Sequence, residues 1–194
     1  MLKNNLLKQL KTASLTRDTI RNLIKIGKFE KIKSQTKVIT SGEICDTAYF
    51  VLKGGFVCRH IDKELKVKRT INFYLDNFHP FMICVDGYFK GSKTKCELKA
   101  IKNSEILKFN KEELDDLIYK DEKLFQFYHQ LIVRALESEN DMKMKMISGT
   151  TEQLFNHTSK DYQFLMQSVP SKYIAEFMGI SPEWLSKLKH KNIS

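Results

Sequence analysis

The chain has 194 residues and a formal net charge of +10, with 42% hydrophobic and 29% charged residues. A chain of this length forms one large or two small domains, and the composition is that of an ordinary globular protein. No apolar run approaches the ~20 residues of a membrane-spanning helix, and the first residues lack the continuous apolar segment of a secretory signal. We therefore expect a cytoplasmic protein with no membrane partner.

The positive charge is concentrated at the N-terminus. Residues 1–40 contain ten Lys and Arg against two acidic residues, whereas residues 150–194 contain five against four. A basic chain favours nucleic acids as partners, but most of this surplus is expected to lie on a solvated face. The net charge therefore does not identify DNA as a partner, and a prediction of DNA binding depends on local motifs.

The four cysteines, Cys45, Cys58, Cys84 and Cys96, show no Cys-x-x-Cys spacing. Structural metal sites usually contain closely spaced pairs, and disulfide frameworks belong to oxidising compartments. We predict four buried free thiols, with no bound metal and no cofactor.

Residues 1–26 combine basic and apolar residues at helical spacing. Thr16, followed by Asp18, is a typical helix start, and Gly27 is a typical helix stop. The pattern predicts one or two amphipathic helices that pack on the following domain. Their apolar positions are Leu2, Leu6, Leu10, Ile20, Leu23 and Ile24.

Between residues 29 and 109 the sequence changes to short extended runs separated by turns. The runs are rich in β-branched and aromatic residues and recur roughly every 8–12 residues, which predicts an antiparallel sandwich or barrel. Residues 74–96, with the turn signals His79-Pro80 and Asp86-Gly87, are predicted to be irregular. The predicted strands cover 38–40, 48–52, 56–61, 65–73 and 99–107.

A short helix is predicted over 111–119, and a long helix follows Asp121-Glu122 and runs to about Met146. In the long helix apolar residues repeat at intervals of four and three, as in a coiled-coil seam, and a second apolar row runs beside them. We expect one row to pack on the chain's own domain and the other on a second copy of the chain. Burial of both rows inside one domain would give the same pattern. The seam assigned to the dimer interface comprises Leu124, Tyr128, Leu131, Ala135 and Met142, and the second row comprises Phe125, Ile132 and Leu136.

Residues 169–191 contain the signals of two short helices joined by a tight turn. Ser171 is predicted to cap the first helix after Pro170, and Gly179 to supply the left-handed residue that ends it. Ser181 is predicted to cap the second helix, with Pro182 in its first position and Leu185 and Leu188 pointing inward. These are the features of a helix-turn-helix, although an ordinary helical hairpin would show them too. The residues left on the outer face are Glu183, Trp184, Lys187, His190 and Lys191.

Ser148-Gly149 interrupts the helical pattern and Thr150 restarts it, which indicates a hinge. We therefore predict an α+β protein in three parts. An N-terminal antiparallel, jelly-roll-like β-roll that serves as a sensor domain covers 1–120. A dimerisation helix and hinge cover 121–148, and a helix-turn-helix domain covers 149–194.

In this order the parts resemble the Crp–Fnr family of bacterial transcription regulators, which combine a cyclic-nucleotide-binding-like β-roll with a C-terminal helix-turn-helix. The resemblance covers essentially the whole chain. It rests on residues 38–43, 49–54, 100–107 and 174–187. The last stretch is the most specific, with its Ile-Ala…Gly-Ile-Ser-Pro-Glu…Leu-Ser-Lys pattern.

The resemblance implies that Glu183 and Lys187 read base edges in the major groove, because a carboxylate accepts from cytosine and an ammonium donates to guanine. Family members often carry Arg at the second position, so discrimination by Lys187 is expected to be weaker. Phosphate contacts are implied for Ser171, Lys172, Ser181 and His190, and Trp184 and Lys191 complete the DNA-binding set.

The ligand pocket departs from the cyclic-nucleotide-binding members of the family. Those members carry a Phe-Gly-Glu run and a later Arg, which hold the ribose and the phosphate. The corresponding stretches here, 81–85 and 93–96, contain neither the Glu nor the Arg. We therefore expect no binding of cyclic AMP and an effector that is either an unidentified small molecule or absent.

These observations favour a homodimeric, sequence-specific DNA-binding regulator. Its partners would be double-stranded DNA, a second copy of the chain and, by the resemblance, RNA polymerase, and its operator would be pseudo-palindromic with half-sites about 34 Å apart. The alternative is a β-roll that binds a ligand or protein while the helix-turn-helix is silent. An enzyme is not expected, because no Gly-rich phosphate loop, metal-binding His/Glu motif or nucleophile elbow appears.

Overall fold

The computed structural model describes residues 15–62, 64 and 66–191. The predicted helical positions Leu2, Leu6 and Leu10 lie outside these residues. In the described part of the chain the elements follow in the order α1 (Arg17–Ile26), β1 (Lys28–Ile32), β2 (Lys37–Ile39), β3 (Thr47–Lys53), β4 (Gly55–Asp62), β5 (Val67–Leu75), β6 (Phe81–Met82), α2 (Val85–Lys90), β7 (Cys96–Ala100), β8 (Ser104–Asn110), α3 (Lys111–Lys120), α4 (Glu122–Ser148), α5 (Thr151–Asp161), α6 (Gln163–Ser168), α7 (Ser171–Met178) and α8 (Pro182–Lys191).

The strands form two four-stranded antiparallel sheets. One has the order β1-β8-β3-β6 and the other the order β2-β7-β4-β5. Alternating side chains of both sheets point into a shared apolar core, to which β3 contributes Val51, β4 contributes Phe56 and β7 contributes Leu98. The predicted fold class, an α+β protein with an antiparallel β-roll followed by helices, is confirmed.

The strand prediction was wrong in three places. The run 99–107 is two strands, because the chain turns between β7 and β8, where the Ser104 hydroxyl donates to the carbonyl of Lys102 (2.9 Å). Strand β1 was not among the predicted strands. The segment predicted to be irregular contains β6 and α2, and α2 packs so closely on Cys45 that a Cβ at Gly87 would meet its backbone nitrogen at 2.6 Å.

Helix α1 begins and ends where the sequence predicted. The hydroxyl of Thr16 accepts from the backbone N–H of Thr19 (3.1 Å), and Gly27 caps the C-terminus. Leu23 packs on the β1-β8-β3-β6 sheet in a cluster that includes Phe109. The Thr19 hydroxyl also donates to Asp121, which itself caps α4, so the first helix is fixed to the start of the long helix.

The long helix α4 has one buried and one exposed apolar row. Leu124 and Met142 of the predicted dimer seam are only 3% and 7% exposed and pack within their own chain. The ring of Tyr128 meets Phe81 edge-on, and Leu131 packs in the same cluster. Assigning this seam to a dimer contact was therefore wrong for its buried residues, because the β-roll covers Leu124 and the C-terminal helices together with the β-roll cover Met142. The row that stays exposed is the second one, Phe125, Ile132 and Leu136.

Helices α5 to α8 form a C-terminal helical unit that packs on the β-roll. Its core contains Phe155, Ile174 and Leu185, and the same cluster includes Val57 of β4 and Phe73 of β5. Val57 lies on the opposite side of β4 from the buried Phe56, so this sheet is covered on both faces. The helix-turn-helix is thus docked on the β2-β7-β4-β5 sheet.

Candidate nucleic-acid interface

The first helix of the helix-turn-helix, α7, begins one residue earlier than a Ser171 cap would require. Pro170 has extended backbone angles, and its carbonyl accepts from the N–H of Tyr173 (2.9 Å), so Pro170 is the capping residue and Ser171 is the first helical residue. The predicted Ser171 cap is wrong for this reason. The Ser171 hydroxyl instead accepts from the Lys189 ammonium on α8 (2.8 Å), which ties the two helices together.

The turn between the helices has the predicted conformation. Gly179 is left-handed with φ +69°, and the N–H of Ile180 reaches back to the carbonyl of Ala175 (3.0 Å). Ala175 is almost fully buried, in the same cluster as Leu185 of α8. The chain therefore reverses direction within a few residues and brings α8 against α7.

Helix α8 is held by its inner side and exposes its outer side. Ser181 caps it by accepting from the N–H of Trp184 (3.1 Å), and Leu185 and Leu188 are buried. The outer face is brought together as predicted from the sequence, next to the exposed start of α7. The exposed residues are Ser171, Lys172, Ser181, Glu183, Trp184, Lys187, His190 and Lys191.

Polar contacts on this surface set its electrostatics. A hydrogen bond from the Ser181 hydroxyl lowers the pKa of Glu183, so this carboxylate is an acceptor at neutral pH. The Lys172 ammonium lies 4.8 Å from the centre of the Tyr173 ring, and Lys191 pairs with Glu152 of α5 (2.7 Å). The surface thus offers an ionised carboxylate beside lysines, the combination expected for contacts to bases and phosphates.

The other side of α7 is bound to the β-roll by a charged contact. Arg59 on β4 donates to both carboxylate oxygens of Glu176 (3.0 and 2.7 Å), and the Thr70 hydroxyl donates to one of them (2.9 Å). The Arg59 guanidinium also lies 5.5 Å from the centre of the Tyr173 ring. A bidentate pair of this kind fixes orientation as well as distance.

Glu97 on β7 lies at the centre of the charged groups beneath this contact. Its side chain is buried, yet it pairs with Lys68 (2.9 Å), Lys37 (3.0 Å) and Arg59 (3.4 Å). Burial opposes ionisation of Glu97, but its hydrogen bonds from Lys68 and Lys37 prevail, and the net result is a lowered pKa. Arg59 is therefore held between two carboxylates, one in the sheet and one on α7.

Sequence reasoning missed Arg59, Thr70, Glu97 and Glu176. Each is an unremarkable polar residue in its own element, and the pair between Arg59 and Glu176 spans 117 positions of the chain. The only signal was Glu176, a lone acid on a helix that is otherwise largely apolar. Without the docking of α7 on the sheet, no partner could have been named.

A cavity of about 550 Å³ lies between the β-roll, the long helix and the helix-turn-helix. Asn72 of β5 bridges to Glu139 of α4 at its wall (2.8 Å), and burial raises the pKa of Glu139. Burial also lowers the pKa of His79 to about 4, which leaves this imidazole neutral. No arginine is among the cavity-lining residues of the described chain, and Lys143 is its single cation.

None of the helices in the described part of the chain is long and apolar enough to cross a membrane. The described residues also contain no cluster of three or more His, Cys, Asp or Glu side chains arranged to hold a metal ion.

Comparison with solved structures defines the fold as that of the Crp–Fnr regulators. No protein family model matches the sequence, and no curated protein matches it in sequence. Solved structures nevertheless match over most of the chain, and several of them are transcription regulators that combine a β-roll with a helical C-terminal domain. The chain therefore has the Crp–Fnr fold.

Three of these structures illustrate the extent of the match. CLP of Xanthomonas campestris, a c-di-GMP-responsive global regulator, is 12% identical with a TM-score of 0.73 and 91% coverage of both chains. FixK2 of Bradyrhizobium japonicum is 11% identical with a TM-score of 0.69, covering 86% of this chain and 84% of its own. A structure from Eubacterium rectale assigned to the crp/fnr family is 9% identical with a TM-score of 0.67, covering 92% and 83%. At these identities the likeness concerns the fold alone.

Proposed function

We propose that this protein is a sequence-specific DNA-binding transcription regulator, with α8 as its recognition helix. One observation carries the proposal. Leu185 and Leu188 bury the inner side of α8, while Glu183 and Lys187 stand one helical turn apart on its exposed outer side. Residues four apart on a helix share one face, so both can enter a single major groove.

The proposal includes a homodimer that works in the cytoplasm on a pseudo-palindromic operator. The exposed row Phe125, Ile132 and Leu136 on α4 supports it, because an apolar row about three helical turns long in solvent is what a second copy of the same helix would cover. Two copies of α8 would then face successive major grooves about 34 Å apart. The resemblance to Crp–Fnr regulators makes RNA polymerase a further partner of the bound dimer.

The cavity beside α4 supports an effector that is neither cyclic AMP nor a close analogue. A nucleotide phosphate is best matched by a bidentate guanidinium, and the cavity-lining residues of the described chain supply none. Its apolar residues, including Phe73, Tyr74 and Met142, favour a small and largely uncharged ligand.

The experiment that tests the proposal is selection of bound sequences from random duplex DNA by the full chain. At about 150 mM salt non-specific phosphate binding is weak, so enrichment reports base recognition. We expect an inverted repeat with half-sites one helical turn apart. A folded, dimeric protein that enriches no sequence would contradict the proposal and favour a β-roll module with a silent helix-turn-helix.

A further inference from the structure

The four cysteines are scattered in sequence but lie together in the fold. Cys45, Cys58 and Cys84 are members of a single buried cluster between the two sheets, and Cys96 packs against it. All four are free thiols in the structure, but the prediction that all four are buried is wrong for Cys96, which is partly exposed. Their proximity, however, was not foreseen, because no local spacing brings them together.

Strand register places Cys58 and Cys96 on the same face of one sheet. Cys58 on β4 is opposite Leu98 on β7, and Cys96 is opposite His60. Residues two apart on a strand point to the same side, so the two cysteines are diagonal neighbours and His60 directly faces Cys96. The two thiols are close enough for each to shift the pKa of the other.

The two thiols differ in exposure and in acidity. Both line the 550 Å³ cavity, but Cys58 is buried whereas Cys96 is partly exposed. The hydrogen bond from Cys58, aided by His60, lowers the pKa of Cys96 to about 6, and the same hydrogen bond together with burial raises the pKa of Cys58. Cys96 therefore carries the charge and is the better nucleophile of the pair.

The second pair of thiols is less accessible. The Cys45 sulfur accepts from Cys84 and its thiol contacts the carbonyl of Thr47 (3.3 Å). Both cysteines are buried. Cys84 also lines the cavity, but its hydrogen bond to Cys45 and its burial raise the pKa of its thiol. The hydrogen bond from Cys84 lowers the pKa of Cys45 to about 6, but Cys45 does not line the cavity. Cys96 is therefore the cysteine that combines a lowered pKa with access to the cavity.

We propose that Cys96 is a modification site for peroxides, with Cys58 as the resolving thiol that converts the oxidised sulfur into a disulfide between β7 and β4. The proposal adds a chemical reactivity to the β-roll that is independent of whether α8 binds DNA. It rests on a pair of thiols on one sheet face, an imidazole opposite one of them and a cavity that reaches both.

The reaction balances with hydrogen peroxide as the oxidant. The Cys96 thiolate attacks one peroxide oxygen, the O–O bond breaks, and a sulfenic acid forms as hydroxide leaves and takes up a proton. The Cys58 sulfur then attacks the Cys96 sulfur, the S–S bond forms, and the sulfenic hydroxyl leaves as water with the Cys58 proton. Two thiols are oxidised by two electrons, and one peroxide is reduced to two waters.

The position of this pair connects it to the interdomain contact. The next residues along the two strands are Arg59 and Glu97, which are paired in register and project from the opposite face of the sheet. A bond between Cys58 and Cys96 would alter the spacing of the strands directly beside the arginine that holds Glu176. Oxidation of Cys58 and Cys96 would therefore displace the neighbouring residues Arg59 and Glu97, and with them the contact that docks α7 on the sheet.

The test is peroxide treatment of the full chain in its native state, followed by alkylation of the remaining thiols, proteolysis and mass spectrometry. We expect a cross-linked peptide pair containing Cys58 and Cys96, about 2 Da lighter than the two free peptides and released by dithiothreitol. Before oxidation, iodoacetamide should label Cys96 at least about tenfold faster than the other three cysteines at pH 7.

Variants separate the steps of the reaction. Cys58→Ser should stop at a Cys96 sulfenic acid that dimedone traps, and Cys45→Ser is the matched control that should still form the disulfide. Should Cys58→Ser unfold, Cys58→Ala provides the same test, since alanine also lacks the resolving sulfur. A disulfide between Cys45 and Cys84 instead, or equal labelling of all four thiols, would overturn the proposal, and neither outcome bears on DNA binding.

Discussion

The guanidinium of Arg59 on β4 donates two hydrogen bonds to the carboxylate of Glu176 on α7, and this pair joins the β-roll to the helix-turn-helix. The side chains are only 12% and 26% exposed, and the apolar contact of Phe73 with Phe177 lies on the same helix (5.2 Å between ring centres). Charge-assisted bonds in a partly dry site are stronger than those on an open surface. The orientation of α7, and with it that of α8, therefore depends on this contact.

Glu176→Gln should loosen the docked helices. The substitution removes the charge but keeps the shape, so Arg59 loses one of its two carboxylate partners. We expect the free energy of unfolding to fall by about 1.5–3 kcal/mol, as for other hydrogen bonds to charged groups, and hydrogen exchange in α7 to become faster. Urea denaturation and exchange mass spectrometry measure the two effects.

The matched control for Glu176→Gln is Glu152→Gln. Glu152 also pairs with a basic residue, Lys191, but both side chains of that pair are exposed, so the loss should be within about 1 kcal/mol. Equal effects of the two substitutions would show that the contact with Arg59 does not anchor the helix-turn-helix.

Leu136→Glu should dissociate the proposed dimer. Leu136 is 56% exposed in the middle of α4, and a carboxylate there would face its own copy across a two-fold axis. We expect sedimentation or light scattering to report half the mass of the unmodified protein. Tyr119→Glu, at an apolar residue that is more exposed but lies on α3, should leave the mass unchanged. A dimer that survives Leu136→Glu would exclude this row as the interface.

Leu124→Ala should act on folding and not on association. Leu124 is buried between α4 and the β-roll, so its truncation leaves a cavity inside the chain. We expect the free energy of unfolding to fall by about 2–5 kcal/mol. The folded fraction should have the same mass in solution as the unmodified protein. Half that mass with unchanged stability would instead show that Leu124 lies in the dimer interface.

Glu97 should make stability depend on acid. The pKa of Glu97 is lowered in the fold, so its ionised form contributes stability that is present above its ordinary value of 4.5 and is lost as the pH falls through the lower folded value. Glu97→Gln should therefore lower the free energy of unfolding by about 1.5–3 kcal/mol at pH 7. Denaturation of both proteins as a function of pH should show this difference shrinking only below pH 4.5.

Substitutions at Lys187 and Lys172 should separate base reading from phosphate contact. Lys187→Ala should cost about 1–3 kcal/mol on the selected operator and relax its sequence preference, because it removes a base contact. Lys172→Ala should weaken binding to all sequences alike. It should also reduce the magnitude of the slope of the logarithm of the binding constant against the logarithm of the salt concentration by about one. Lys25→Ala, an exposed lysine on α1, is the neutral control. An operator affinity unchanged by Lys187→Ala would remove α8 from the base-reading role.

The elements that the sequence predicted well depend on signals only a few residues long. Thr16 caps α1 through an N–H three residues away, and Gly179 and Ser181 set the turn and the next helix start within their own neighbourhood. Where the prediction was wrong, a neighbouring residue competed for the same role. Pro170 occupies the capping position predicted for Ser171, and a three-residue turn divides the last predicted strand into β7 and β8.

The sequence by itself determined the order of the long helices and of most strands, the helix-turn-helix and the inward position of Leu185 and Leu188, because periodicity and capping are local properties. Only the tertiary structure decided which apolar row of α4 remains exposed, since either row could have packed on the β-roll. The same holds for the diagonal placement of Cys58 and Cys96 on one sheet face and for the contact of Arg59 with Glu176. Those contacts follow from strand register and domain docking, which bring together residues that are far apart in the sequence. No local sequence pattern identifies such residues as partners.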